Sequence, residues 1–182
     1  TTTMVKYGWY VSHDGTYVDV YLMDVATGEP DLIFEKFSGR PSFSPEADYL
    51  TWWDGTDLNW MLMDVATREI RTLTEDVPFP VHNILDDHPD ELRSYGSPGW
   101  LEDQAAFLVY DEFDIWQLDP TGAAPPRNLT EGTGRDNDIR FRYVNLGGGG
   151  GGGRGGGASE GIDPSEDALL SAFHKYTKQS GF

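Results

Sequence analysis

Apolar residues in this chain occur in short runs of five to seven residues, rich in Tyr, Trp, Val and Phe, throughout residues 4–146. Asp-Gly pairs at positions 14–15 and 54–55, and other Gly- and Pro-containing turns, separate these runs. Short apolar runs between turn signals are typical of β-strands, whereas paired helices need apolar spacings of three and four over longer spans. No such span precedes residue 146, so the pattern predicts antiparallel strands joined by hairpins.

The same pattern repeats along the chain. Asp-Gly-Thr at residues 14–16 recurs at 54–56, and Leu-Met-Asp-Val-Ala-Thr at 22–27 recurs at 62–67, both forty residues on. A diverged third copy follows. Repeats of about 40 to 45 residues with four short strands each are typical of propeller blades. We therefore predict an all-β fold, a partial β-propeller of about three four-stranded antiparallel blades plus part of a fourth.

The repeat sets the predicted domain boundaries. Residues 1–146 hold the three blades, with an insertion at residues 75–97. The blades lie at about residues 7–37, 41–74 and 98–130, the last followed by a strand at 139–146. The first blade lacks an obvious innermost strand. Because a closed ring needs at least about four blades, we interpret the chain as a piece of a larger propeller.

Residues 158–182 are predicted to form the partial fourth blade, although their local pattern is ambiguous. Asp-Pro-Ser-Glu at 163–166 resembles the capped start of a helix over residues 165–176. The same segment aligns with the start of the second blade, which places residues 169–173 on a strand. We favour the strand, which would also supply the strand that the first blade lacks.

Ten of the 22 glycines fall in residues 147–157, where only Arg154 interrupts them. Glycine offers no side chain to pack and loses the most backbone entropy on folding. We interpret this run as an engineered linker or a placeholder for unidentified sequence, with a natural low-complexity loop as the alternative. A phosphate-binding loop is not indicated, because no Lys-Ser or Lys-Thr follows the run.

The charge of the chain excludes several partners. Its 31 acids and 13 bases give a formal net charge of −18, and no stretch of clustered bases reverses this locally. Such a field repels phosphate backbones and anionic lipid surfaces, so neither nucleic acid nor a membrane is an expected partner. The chain has no cysteine, which removes disulfides, thiolate nucleophiles and Cys-ligated zinc.

A set of motifs runs along the chain, at residues 44–46, 49–54, 95–100, 110–120, 128–130, 140–144 and 168–173. Together they resemble the N-terminal β-propeller of bacterial serine peptidases of the prolyl oligopeptidase family, of the dipeptidyl and acylaminoacyl peptidase type. Single blade motifs are also found in propellers of the TolB type, but the run at residues 110–120 combined with residues 140–144 is more specific. The resemblance covers everything except the glycine run.

The resemblance implies a non-catalytic domain that caps an α/β-hydrolase domain, limits access to its active site and contacts the peptide substrate. It also implies a periplasmic or secreted location. A Gly-x-Ser-x-Gly elbow, which would hold a catalytic serine, is absent from the sequence, since Gly-Ser-Pro-Gly at residues 96–99 has the wrong spacing. We therefore expect no catalytic residue, no cofactor and no peptidase activity in this chain alone.

Two alternatives remain open. One is a stand-alone binding propeller of the TolB type, whose rim loops contact a protein partner. The other is a propeller fragment that was designed to self-assemble, because open blade edges expose unpaired backbone groups that invite another copy.

Two acidic groups are candidates for contact with a cation or with the amine of a substrate, because carboxylates attract ammonium groups and bind hard cations. The alternative for both is structural, as a solvated loop and an acidic hairpin turn. Two histidines six apart on a loop do not predict zinc, and no metal site is expected. The first group is Asp86, Asp87 and His88 in the insertion, and the second is Asp111, Glu112 and Asp114.

Three arginines follow the second acidic group, namely Arg135, Arg140 and Arg142. We expect them to pair with nearby acids and not with a ligand.

Overall fold

A computed structural model describes residues 17–87, 91–146 and 161–182. The chain forms two compact units, Thr1–Arg40 and Pro41–Phe182. The candidate residue His88 and the glycine run lie outside the described residues. No helix in the described ranges is both long and apolar enough to cross a membrane.

In the described part of the first unit, two antiparallel strands form a hairpin. Strand β1 (Tyr17–Met23) pairs with β2 (Pro30–Ser38), with register shifts around Val20. Asp24 builds the connecting turn, since its Oδ1 atom accepts a hydrogen bond from the backbone N of Ala26 at 2.7 Å. Gly28 closes the turn at a φ of 75°, a conformation that glycine adopts without steric penalty.

The second unit contains two four-stranded antiparallel sheets, each with its strands in sequence order. This order is the meander expected of a propeller blade. Counting the β1–β2 hairpin as the first sheet, the second sheet consists of β3 (Ser42–Phe43), β4 (Tyr49–Asp54), β5 (Asn59–Asp64) and β6 (Ile70–Thr72). The third sheet consists of β7 (Gly99–Trp100), β8 (Phe107–Tyr110), β9 (Ile115–Leu118) and β10 (Arg127–Asn128).

A last sheet contains three described strands. A one-turn helix, α1 (Thr133–Asp136), leads into β11 (Ile139–Tyr143), which pairs antiparallel with β12 (Leu170–His174). Strand β13 (Ser180–Gly181) continues the sheet beside β12. The predicted strand in the tail is therefore confirmed, and the helix alternative for residues 165–176 is wrong. Strand β11, which follows the third sheet in the chain, thus pairs with β12 of the tail.

Side chains of the second and third sheets share one hydrophobic core. The rings of Tyr49 and Trp100 stack with centroids 5.5 Å apart, and Trp60 meets Phe107 edge to face at 5.3 Å. The buried core residues are Leu62, Leu73, Val81, Trp100, Phe107, Val109, Trp116 and Leu118. Val81 belongs to the insertion, so the insertion contributes to this core. The all-β fold class, a partial β-propeller with successive antiparallel sheets, is confirmed.

Candidate functional site

The acidic hairpin between β8 and β9 is buried. Asp111 and Asp114 are 0% exposed and Glu112 is 6% exposed. The Asp111 Oδ1 atom accepts hydrogen bonds from the backbone N of Phe113 at 2.6 Å and of Asp114 at 2.7 Å. The local sequence folds this way because an Asp side chain can close a turn onto the backbone two and three residues later. The hydrogen bonds that close the turn therefore explain the position of Asp111 without a ligand.

Basic side chains neutralise the hairpin. Arg135 Nη2 lies 3.0 Å from Asp111 Oδ2, and Glu112 Oε1 lies 2.8 Å from Arg140 Nη2 and 2.7 Å from Lys175 Nζ. The expectation that the arginines pair with nearby acids is thus confirmed for Arg135 and Arg140. We refer to these groups as the ion-pair cluster, which comprises Asp111, Glu112, Asp114, Arg135, Arg140, Arg142 and Lys175.

Asp114 is bound by the segment around α1 and does not face an open rim. Its Oδ1 atom accepts hydrogen bonds from Thr130 Oγ1 at 2.6 Å and from the backbone N of Gly134 at 3.0 Å. Its Oδ2 atom accepts one from the backbone N of Arg135 at 3.3 Å. The carboxylate therefore holds the start of the connection to the last sheet against the third sheet.

The ion pairs change the acidity of their members. Burial acts to raise the pKa of Glu112, but the hydrogen bonds from Lys175 and Arg140 outweigh it and hold that pKa below its usual value of 4.5. The hydrogen bond to Glu112 raises the pKa of Lys175. Both groups are charged at neutral pH, which suits a structural pair and gives neither a proton to exchange there.

Arg142 differs from the other arginines of the cluster. Its guanidinium lies over the Tyr110 ring, 4.4 Å from the centroid. Its N–H groups donate to backbone carbonyls: Nη1 to Phe141 at 2.7 Å, and Nη2 to Asp111 at 3.3 Å and Glu112 at 3.4 Å. Among the described residues it has no carboxylate within ion-pair distance. For Arg142, the expected pairing with an acid side chain does not occur in that part of the chain.

Burial shifts the pKa of Arg142 and of its neighbour Tyr110. It lowers the pKa of the Arg142 guanidinium and raises the pKa of the Tyr110 hydroxyl. The Tyr110 oxygen accepts a hydrogen bond from the backbone N of Tyr143 at 2.9 Å, which joins the third sheet to β11. The sequence indicated no role for the Tyr110 hydroxyl or for Lys175, because the groups that they contact lie far away along the chain.

The base of the insertion is a short antiparallel ladder. The backbone N of Tyr95 donates to the carbonyl of Val81 at 2.8 Å, and that of Asn83 donates to Arg93 at 2.7 Å. Trp53 of β4 fastens this ladder, because its Nε1 atom donates to the carbonyl of Leu92 at 2.8 Å. The insertion is therefore anchored on the second sheet.

The insertion is also anchored on the ion-pair cluster. The guanidinium of Arg135 lies 3.6 Å from the ring centroid of Phe79 and 5.2 Å from that of Phe113. Phe79 additionally packs against Trp116 of β9 at 6.2 Å. A cation between two rings gains an electrostatic contact with both, so Phe79 ties the insertion to the third sheet.

The tip of the insertion carries the other candidate residues. Asp87 is exposed and Asp86 is half-buried. Next to them, Ile84 is 53% exposed and Leu85 is 62% exposed. The tip therefore combines acidic and aliphatic groups on an anchored base. Within the described ranges, no three His, Cys, Asp or Glu side chains are grouped so that they could hold a metal ion.

An open groove of about 300 Å³ lies along the start of the insertion. Its apolar lining comes mainly from a Pro- and Phe-containing stretch, and Glu75 and His82 supply ionisable groups. The groove is lined by Leu58, Asn59, Thr74, Glu75, Val77, Pro78, Phe79, Pro80, Val81 and His82.

Comparisons with known proteins identify no family. No family model matches the chain, and no curated protein matches it. Among solved structures, the chain is similar to TolB from Acinetobacter baumannii, with 17% sequence identity and a TM-score of 0.40 over 91% of this chain. It spans 37% of the length of that TolB chain. These comparisons do not identify the prolyl oligopeptidase family, and that resemblance stays a prediction from the sequence.

Proposed function

We propose that this chain is a non-catalytic β-propeller domain that serves as scaffold and substrate gate for an α/β-hydrolase domain of a serine peptidase. The proposal depends on one observation: the insertion is anchored at its base and exposes aliphatic and acidic side chains at its tip. A gate needs this combination, because it must hold its position while it contacts a neighbouring domain or a substrate.

Side chains of both four-stranded sheets and of α1 anchor the insertion. Trp53 of the second sheet holds its base, and Trp116 of the third sheet and Arg135 of α1 hold Phe79. Val81 is 4% exposed and belongs to the shared core. Displacing the base of the insertion would therefore disturb the core, whereas the tip is free of that constraint.

The contacts of the buried acids favour a structural role over a catalytic or ligand-binding one. Asp111 and Asp114 accept hydrogen bonds from backbone, Trp and Arg groups, and Glu112 is held by two cations. A carboxylate used in this way binds elements together and is not exposed to an incoming ligand. We therefore assign substrate contact to the insertion and not to these three residues.

Peptide is the substrate class that fits the insertion. The groove offers Pro and Phe side chains beside the carboxylate of Glu75, and Asp87 lies exposed at the tip. Apolar walls with a few acids suit a peptide that presents an apolar side chain and an amine.

A stand-alone binding propeller is the second candidate function. The exposed Ile84 and Leu85 favour it, since adjacent exposed aliphatic side chains beside acids suit contact with a protein partner. Self-association through the outer edges of the sheets is a third proposal. Light scattering tests it, and a strict monomer at high micromolar concentration would count against assembly.

The gene that encodes this chain tests the proposal first. A Gly-x-Ser-x-Gly elbow encoded downstream would support the peptidase scaffold, and a gene without one would overturn it and leave the binding propeller. The second test is Ile84→Ser with Leu85→Ser in the whole protein. We expect kcat/KM for peptide substrates to change at least about fivefold. The control is Val25→Ser in the β1–β2 turn, which is 89% exposed and should leave kcat/KM unchanged.

A further inference from the structure

We propose that Arg142, with the neighbouring Arg140, forms a binding site for a carboxylate group from outside the ion-pair cluster. The inference begins with the charges of the cluster. Its four cations face three carboxylates, so one positive charge is left over. The remaining observations identify Arg142 as the side chain that carries it.

The contacts of Arg142 neutralise none of its charge by direct pairing. Its Nη1 and Nη2 atoms donate to backbone carbonyls, and the Tyr110 ring covers one face of the guanidinium. The charge of Asp111 also acts on Arg142, but that carboxylate is already paired with Arg135 at 3.0 Å. A desolvated guanidinium without a contacting anion is costly, so a further carboxylate would be bound favourably.

Arg140 places a second guanidinium on the same face of β11, because it lies two residues before Arg142 on that strand. Its Nη2 atom is used by Glu112, but its Nε atom is buried and has no hydrogen-bond partner among the described residues. The Arg140 side chain as a whole is 31% exposed, so solvent reaches part of it. Two adjacent guanidiniums with unused N–H groups are the donor arrangement that binds carboxylates.

The ligand chemistry is a planar carboxylate, which matches the fork of a guanidinium. It can come from the C-terminus of a peptide or from a small organic acid. The chain's net charge of −18 opposes anions at long range. Because that field is screened beyond about 8 Å at physiological ionic strength, the local guanidiniums decide binding there.

The test is an NMR titration of the whole ¹⁵N-labelled chain at physiological salt, following the arginine Nε–H signals. The probes are acetate, a tripeptide with a free C-terminal carboxylate and the same tripeptide with a C-terminal amide. We expect saturable shifts of the Arg142 and Arg140 signals with the free-acid tripeptide and none with the amide. Equal affinity for acetate would identify a small organic acid as the source, and weaker affinity a peptide terminus.

Three variants separate the site from general charge effects. Arg142→Gln should weaken binding of the free-acid tripeptide at least tenfold, whereas Arg142→Lys, which keeps the charge but loses the fork, should weaken it about threefold to tenfold. Arg71→Gln is the control, because Arg71 is also a partly exposed arginine on a strand and should change nothing. Unchanged affinity in Arg142→Gln, equal losses in Arg71→Gln, or no saturable binding of any carboxylate would overturn the proposal. Circular dichroism of each variant confirms that it is folded.

Discussion

At the scale of single residues, the same turn follows strands β1, β5 and β12 in the described part of the chain, with different side chains. Asp24 and Asp64 each accept a hydrogen bond from the backbone N three residues later, and His174 does the same through its Nδ1 atom. The repeat in the sequence thus reflects a repeated turn, and the turn at residues 174–177 is not evident from the sequence because an imidazole replaces the carboxylate. Short-range hydrogen bonds of this kind depend only on neighbouring residues.

Asp111 is the residue whose charge should matter most for stability. Asp111→Asn keeps an acceptor for the turn but removes the charge that pairs with Arg135. Breaking a buried ion pair on one side costs about 3–5 kcal/mol, and the partial exposure of Arg135 places this case near the lower end. Urea unfolding measures the loss. The matched control is Asp87→Asn at the exposed tip, which should stay within about 0.5 kcal/mol of the unmodified chain.

Glu112 should make the fold sensitive to acid. Its pKa in the folded chain lies below the usual value of 4.5, so the folded state binds the proton less readily than the unfolded state. The resulting stabilisation is complete above the unfolded pKa and is lost as the pH falls through the folded pKa. Glu112→Gln should therefore flatten the decline in Tm below about pH 4.5. An identical decline in both proteins would contradict this assignment.

At the scale of elements, the short helix α1 is held by close backbone approach. Gly134 is buried there, and a Cβ atom at this position would lie 2.7 Å from the Asp114 Oδ1 atom and from the carbonyl oxygen of Ile139. Only glycine fits between these groups without displacement. The connection from the third sheet to β11 therefore depends on one residue that the sequence pattern did not identify.

Gly134→Ala should destabilise the chain by about 1–3 kcal/mol, because the added methyl group forces the helix away from Asp114. Gly181→Ala is the matched control, since a Cβ atom there meets nothing within 4 Å. Thermal unfolding followed by circular dichroism compares the two variants. Equal Tm values would show that the helix can shift without loss.

At the scale of the second unit as a whole, Gln104 joins the second and third sheets. Its Oε1 atom accepts hydrogen bonds from Ser44 Oγ and from the backbone N of Glu46, and its Nε2 atom donates to Asp48 at 3.0 Å. Ser44 is 0% exposed and Gln104 is 8% exposed, so water cannot readily replace these bonds. The polar contact and the shared core together predict that the two sheets unfold as one.

Gln104→Leu should cost about 1–3 kcal/mol, because it leaves the buried Ser44 hydroxyl without that partner. A double-mutant cycle with Ser44→Ala should recover part of this loss, since the unsatisfied hydroxyl is then absent. Additive effects in the cycle would show that the two residues are not coupled. Two separate unfolding transitions would show that the sheets are independent.

The strands, hairpins and meander order of the second and third sheets are predictable from the sequence, because they depend on side-chain alternation and turn chemistry over a few residues. The predicted hairpin at residues 14–15 lies outside the described residues. The repeat also predicted the strand in the tail, where it proved a better guide than the local helix pattern. The role of the acids at residues 111–114 follows only from the contacts made in the folded chain. Arg140 and Lys175, which pair with Glu112, lie far from it along the chain. A local sequence pattern does not indicate which distant cation will be buried beside which carboxylate.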